Sequence, residues 1–269
     1  MKKNIIFTTL ITLFLALQAT ANVNAVWQEI KAKQVPSKGE QKIHPYVYRI
    51  YLLNDSYMKN LLFSLPEQPE NGAVITLPVA DGSTMDFKVW QTPVMAPGLA
   101  AKYPGIKNFT GVAVDNHDIT ASINYTYKGF NAMVYNGPKT YFIDPYSNEN
   151  DGYYLCYYKK DHPATLHNFS CMTGDKEINE LQQGQSIQVG NPTPTVGWKT
   201  NSTVKRTYRL ALSCTGEYAL AVDGPNPTKP NVISAMTTSL TRVSGILTKE
   251  LNVALQLVNN NDQIVYLDS

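Results

Sequence analysis

The change of hydrophobic period between residues 207 and 257 limits what this chain can fold into more than any other feature. In Thr207-Tyr-Arg-Leu-Ala-Leu-Ser213, the apolar Tyr208, Leu210 and Leu212 alternate with Thr207, Arg209, Ala211 and Ser213. That is the period-two pattern of a strand with one buried face. Beyond Pro225, Pro227 and Pro230, the residues Val232, Met236, Leu240, Val243, Leu247 and Leu251 recur at spacings of three and four. Such spacing stacks them on one side of a helix, with Asn231 as its expected N-cap. Leu251, Val253, Leu255 and Leu257 then alternate again, Asn259-Asn-Asn-Asp262 reads as a turn, and Gln263-Ile-Val-Tyr-Leu267 begins a further strand. A strand, a helix and a strand in this order open an α/β domain. Residues 207–269 are therefore expected to be the N-terminal part of such a domain, truncated before its remaining strands.

At 269 residues and 43% hydrophobic, the chain can bury one large core or two ordinary ones. Residues 26–181 are rich in Tyr, Val, Ile and Thr and punctuated by Gly and Pro, so a β-rich antiparallel domain is expected there. Strands are expected over 44–53, 73–79, 85–90, 109–114, 119–127, 129–135, 139–143 and 153–158. Asp81-Gly82 closes a hairpin, and short helices fall near 58–63 and 93–105. Trp90, Phe109, Ile123, Phe130, Val134 and Ile143 are the expected core. Residues 182–206 turn to Gln, Gly, Asn, Pro, Thr and Ser, the composition of a linker. The linker ends in Lys205-Arg206, a pair that trypsin-like proteases accept, or one that simply flanks the next strand.

Residues 1–25 read as a secretory signal peptide: Lys2-Lys3, an apolar run from Ile5 to Leu17, then small residues at Ala19, Ala21 and Ala25. The run falls short of the roughly 20 residues that span a bilayer. Cleavage after Ala25, or earlier after Ala21, gives a secreted or cell-surface protein without a stable membrane anchor. Of 23 basic residues, Lys2 and Lys3 leave with the signal, so the rest equal the 21 acidic ones. A near-neutral chain argues against nucleic acid or an anionic membrane as partner. Three cysteines are an odd count for an exported protein. Cys156 and Cys171 are the natural intrachain pair, a cross-link worth about 3 kcal/mol on chain-entropy grounds. Alternatively, all three cysteines, Cys214 included, are buried small hydrophobes.

Several stretches resemble one family. Phe87-Lys-Val-Trp-Gln-Thr-Pro-Val-Met-Ala-Pro-Gly-Leu-Ala-Ala-Lys-Tyr-Pro-Gly-Ile106, Gly129-Phe-Asn-Ala-Met-Val134, Phe142-Ile-Asp-Pro-Tyr-Ser147 and Tyr157-Tyr-Lys-Lys-Asp161 are similar, in order and spacing, to the pro-region of secreted reprolysin-like zinc metallopeptidases of the metzincin type. Arg206-Thr-Tyr-Arg-Leu-Ala-Leu-Ser-Cys-Thr-Gly-Glu-Tyr218, Thr241-Arg-Val-Ser-Gly-Ile246 and Asn259-Asn-Asn-Asp262 resemble the start of the catalytic domain in the same precursors. The resemblance covers nearly the whole exported chain. It implies a β-rich pro-domain over 26–181, a linker with an activation site over 182–206, and a metzincin-like leading edge over 207–269. Protein or peptide would be the substrate of the full enzyme.

Such enzymes hold zinc through His-Glu-x-x-His-x-x-Gly-x-x-His, in which two histidines one turn apart share a helix face and the Glu polarises the bound water. His44, His117, His162 and His167 do not fit this pattern, and the resemblance places the motif downstream of residue 269. No catalytic residue is therefore expected here, the chain alone should bind no zinc and be inactive, and its partner should be the downstream remainder of the catalytic domain. The resemblance also implies that Cys171 can cap the catalytic zinc as a thiolate and block its water site. Asp161-His162, His167 and Cys171 are otherwise the only cluster of metal-capable groups, and Pro163 keeps the two histidines off one helix face. Asp144, Asn148, Asn150 and Asp151 could offer oxygens to calcium, although Asp151-Gly152 is also a turn. The alternative function is a stand-alone secreted β-rich binding or peptidase-inhibitory module.

Overall fold

The computed structural model describes residues 26–31, 35, 39–162 and 204–268. Among them, β1 Trp27–Ile30, β2 Arg49–Leu53, β3 Ala73–Pro78, β4 Thr84–Gln91, β5 Lys107–Ala113, β6 Thr120–Thr126, β7 Gly129–Tyr135, β8 Tyr141–Pro145 and β9 Tyr153–Tyr158 make one antiparallel sheet, in the order β1-β2-β9-β8-β7-β6-β5-β4-β3. From β3 to β9 every strand pairs with its sequence neighbour, so successive reversals build most of the sheet. The β3–β4 reversal needs Gly82, whose φ of 96° is closed to most side chains.

The sheet curls over α1, Asp55–Ser64, whose first turn is capped where the Asn54 Oδ1 accepts the Tyr57 N–H at 3.3 Å. Met58 and Leu62 of α1 meet Phe87, Phe109, Ile123, Phe130, Val134 and Ile143 in the main core. Trp90 is an exception among the expected core residues. Alternation points Phe87 and Val89 inward, so Trp90 falls on the opposite face and is only partly buried. The strand expected from 44 begins at Arg49, after Pro45, and β1 precedes it although its short Trp-Gln-Glu-Ile pattern gave no strand signal. The short helix expected between prolines is α2, Pro97–Lys102.

The second unit comprises β10 Arg206–Leu210, α3 Gly216–Asp223, α4 Lys229–Leu251 and β11 Val253–Leu257. The strands pair in parallel, from Arg206 opposite Val253 to Leu210 opposite Leu257, so the strand-helix-strand arrangement is present. Four details differ from expectation. The helix α3 went unseen because Tyr218 to Val222 is an unbroken apolar run without a period. The N-cap of α4 is Thr228, since Pro230 fits the first turn, and Asn231 turns its amide to Asp223 instead. Val232, Met236 and Leu240 are buried as expected, yet Val243 and Leu251 are exposed. Lastly, the strand expected from 263 is a 3-10 turn, Asn261–Ile264, followed by one parallel bridge between Val265 and Cys214.

Candidate functional site

The candidate site is the seam where α4 crosses the outer face of β5, β6 and β7. Polar residues govern this face. Asn108 and Asn124 are buried although each belongs to a strand whose inward positions are apolar. The helix meets them with Thr241 and Thr238, and its buried face also carries Ser234, Thr237 and Ser244. A serine or threonine within a helix can return its hydroxyl proton to the carbonyl one turn back. Thr241 donates to the Thr237 carbonyl at 2.6 Å, and Thr238 to that of Ser234 at 2.9 Å. Each hydroxyl oxygen then remains free to accept. The Asn108 amide donates to Thr241 Oγ1 at 2.7 Å, and the Asn124 amide to Thr238 Oγ1 at 2.7 Å. Short side chains also let the backbones close in. A methyl group added at Gly245 would lie 1.8 Å from Ser122 Oγ and 3.1 Å from its Cβ.

Ion pairs flank these hydrogen bonds. Arg242 of α4 binds the Asp144 carboxylate on β8 and stacks its guanidinium over Phe142, 5.0 Å from the ring centre. The second Asp144 oxygen accepts from the Tyr157 hydroxyl at 2.8 Å. Burial, the Asp144 charge and this hydrogen bond raise the Tyr157 phenol, which therefore stays a donor. Lys128, in the β6–β7 turn, reaches Asp223 at the end of α3 at 2.6 Å, with both side chains largely buried. Burial alone would raise the Asp223 carboxyl. The Lys128 contact, together with the Thr228 N–H and the Asn231 amide, outweighs it and holds the group below its ordinary value. At the far end of α4, Tyr135 donates to Glu250 at 3.1 Å, and Lys249 donates to the Asp118 carbonyl. A cavity of about 400 Å3 opens between these groups, lined in part by Lys42, Lys128, Asp144, Tyr157, His162 and Arg242.

Of the residues singled out from sequence, Ala25, His167 and Cys171 lie outside the described residues. Cys156 is a buried thiol in mid-β9, 3.6 Å from the Pro78 carbonyl, and burial pushes it up. Arg206 is the first residue of β10, its N–H bonded to the Asn252 carbonyl at 3.0 Å, Lys205 immediately precedes the strand, and both are exposed. Asp144 is spoken for by Arg242 and Tyr157, while Asp151 serves a turn, accepting the Tyr153 N–H at 3.4 Å. Among the described residues, no three or more of His, Cys, Asp and Glu are grouped to hold a metal ion, and no helix is long and apolar enough to cross a membrane. Sequence reading missed the two ion pairs entirely. Their partners stand 98 and 95 residues apart, and no local pattern links them. No family model, curated protein or solved structure matches this chain.

Proposed function

We propose that this chain is the pro-region and leading edge of a secreted, reprolysin-like zinc metalloendopeptidase, with the sheet unit assisting the folding and latency of the second unit. The observation that carries this reading is the chemistry of the seam. Contacts between units that can part are more polar than permanent ones, and the seam is of this kind, although residues 93–106 bury apolar side chains against the second unit. Here buried asparagines, threonines and the Asp144–Arg242 pair lie between the sheet and α4, and the Lys128–Asp223 pair joins the β6–β7 turn to α3.

The open edge of the second sheet agrees with the same reading. Among the described residues β10 has β11 as its only ladder partner, and Tyr208 is 53% exposed on it. An uncovered strand of this kind is a template for further strands, and the downstream remainder of the catalytic domain would supply them along with the zinc ligands. The linker over 182–206 is where the connecting chain would be cut, and Cys171 would be the zinc-capping thiolate that holds the precursor latent.

The test combines the mature N-terminus of the secreted peptidase with the reading frame that continues from Ser269. The expected outcome is a start between Gln182 and Arg206 and an in-frame His-Glu-x-x-His. A start before Gln182, or well inside 207–213, contradicts the processing claim. A frame without the zinc motif leaves the second reading, a secreted β-rich binding or inhibitory module.

A further inference from the structure

Residues 93–106 belong to the sheet unit by sequence and to the second unit by packing. Val94, Met95, Leu99, Tyr103 and Ile106 are all buried, and all join the cluster of Val232, Ile233, Met236, Leu240, Leu257 and Val265. The core enclosed by the sheet takes none of these five. Their backbone follows their side chains. The Leu257 N–H donates to the Val94 carbonyl at 2.8 Å, and the Ala96 N–H to the Leu257 carbonyl at 2.8 Å, so Met95 pairs in parallel with Leu257 on the edge of β11 away from β10. Pro93 and Pro97 bound this short strand, since neither can donate to a ladder. Pro97 then opens α2. The Gly98 N–H there is taken by Asn259 Oδ1 at 2.8 Å, and Lys102 reaches both Asp262 oxygens at 2.9 Å.

We propose that residues 93–106 are a tethered ligand. The outer edge of β11, the Val232, Met236 and Leu240 side of α4, and the Asn259-to-Asp262 turn form a peptide-binding groove on the second unit. The groove takes an extended Val-Met-Ala segment by strand addition, followed by one short helix whose Leu99 and Tyr103 fill the apolar floor. Its chemistry is the complement of the seam. The seam is held by hydrogen bonds and ion pairs, which salt weakens in part, whereas the groove is held chiefly by apolar burial, which salt leaves intact, with one ion pair, Lys102–Asp262, at its rim. The ligand therefore keeps the two units together after the connecting chain is cut. This inference rests on the pro-region reading for its biological sense, but its test does not.

The experiment uses the full exported chain carrying a site-specific protease sequence between Gln182 and Thr203. The chain is cut and passed over a sizing column in 0.1 M and 1 M salt. The unmutated halves are expected to co-elute in both. Leu99→Ser halves are expected to separate in 1 M salt, while Asn108→Ala halves, altered only at the seam, stay together. Because Leu99→Ser can also unfold the second unit, Asn259→Ala serves as the milder variant. It removes only the exposed cap on the Gly98 N–H and should speed separation severalfold. Leu99→Ser halves that co-elute in 1 M salt, or Asn259→Ala halves that part no faster than unmutated ones, overturn the tethered ligand. The mature N-terminus, measured separately, decides the pro-region reading whichever way this falls.

Discussion

Gly245→Val is expected to lower the stability of the docked chain by about 3 kcal/mol in urea unfolding. Overpacking of a close contact costs about 1–3 kcal/mol, and each seam hydrogen bond lost as the helix is pushed away adds about 1 kcal/mol. The hydrogen bonds at risk are those of Asn108 to Thr241 and Asn124 to Thr238, each 2.7 Å long. Gly245→Ala makes the sharper test because its sign is reversed by context. In an exposed helix the change gains about 1 kcal/mol. At this position the new methyl lies 3.1 Å from Ser122 Cβ even after the hydroxyl rotates aside, so a loss of about 1 kcal/mol is expected. Ser122→Gly removes the obstacle. The double variant should recover the helix gain, with a coupling energy of about 1–2 kcal/mol. A Gly245→Ala chain more stable than the parent would mean that α4 does not sit this close to β6.

Arg242→Ala should also cost about 3 kcal/mol, because it leaves the Asp144 carboxylate, only 5% exposed, with Tyr157 as its remaining partner. Asp144→Asn should cost less. The charge left behind is then Arg242, 26% exposed, which water can reach. Changing both, as Asp144→Asn with Arg242→Ala, should come closer to the parent than Arg242→Ala alone does, since no unpaired charge remains. Denaturant melts of the four proteins, run as a cycle, check this. The neighbouring pair adds a pH dependence. Asp223 is held below its ordinary 3.8 in the folded chain. Its contribution is therefore fully present above that value and is lost as pH falls through the lower folded value. Lys128→Ala should flatten this loss of stability below about pH 4, so that its deficit relative to the parent is largest, and constant, between about pH 5 and 7.

The reach of sequence reading follows from the range of the interactions. The β3–β4 hairpin was legible because its determinants are adjacent: alternating apolar residues and a Gly82 that can take a positive φ. Helix α2 was legible because prolines bracket it. Phe109, Ile123, Phe130, Val134 and Ile143 were placed in the core by the period of two, and the same period corrects Trp90, which stands one residue out of phase with Phe87 and Val89. Helix α4 was legible as a helix but not as an interface. Its buried face includes Ser234, Thr237, Thr241 and Ser244, and hydrophobic periodicity cannot see a face that binds through hydroxyls. Tyr208 shows the converse. Its strand pattern is right, yet burial requires a covering layer that the described residues do not provide, so it lies exposed. The seam itself joins residues about a hundred positions apart, and only the fold brings Arg242 to Asp144 or Lys128 to Asp223.

A docked second unit, held by a seam and a tethered ligand rather than sharing the sheet's core, makes one prediction that native-state hydrogen exchange reads directly. Under rising denaturant, the amides of α4 and β11, together with the Ala96 amide that bonds Leu257, should exchange through a common opening. Its free energy should lie below that of the β5 to β8 amides, which open only when the sheet unfolds. Ala96 should thus travel with α4 and β11 although it lies between β4 and β5 in sequence. A single opening free energy shared by α4, β11 and the β5 to β8 strands would contradict this and make the chain one cooperative core.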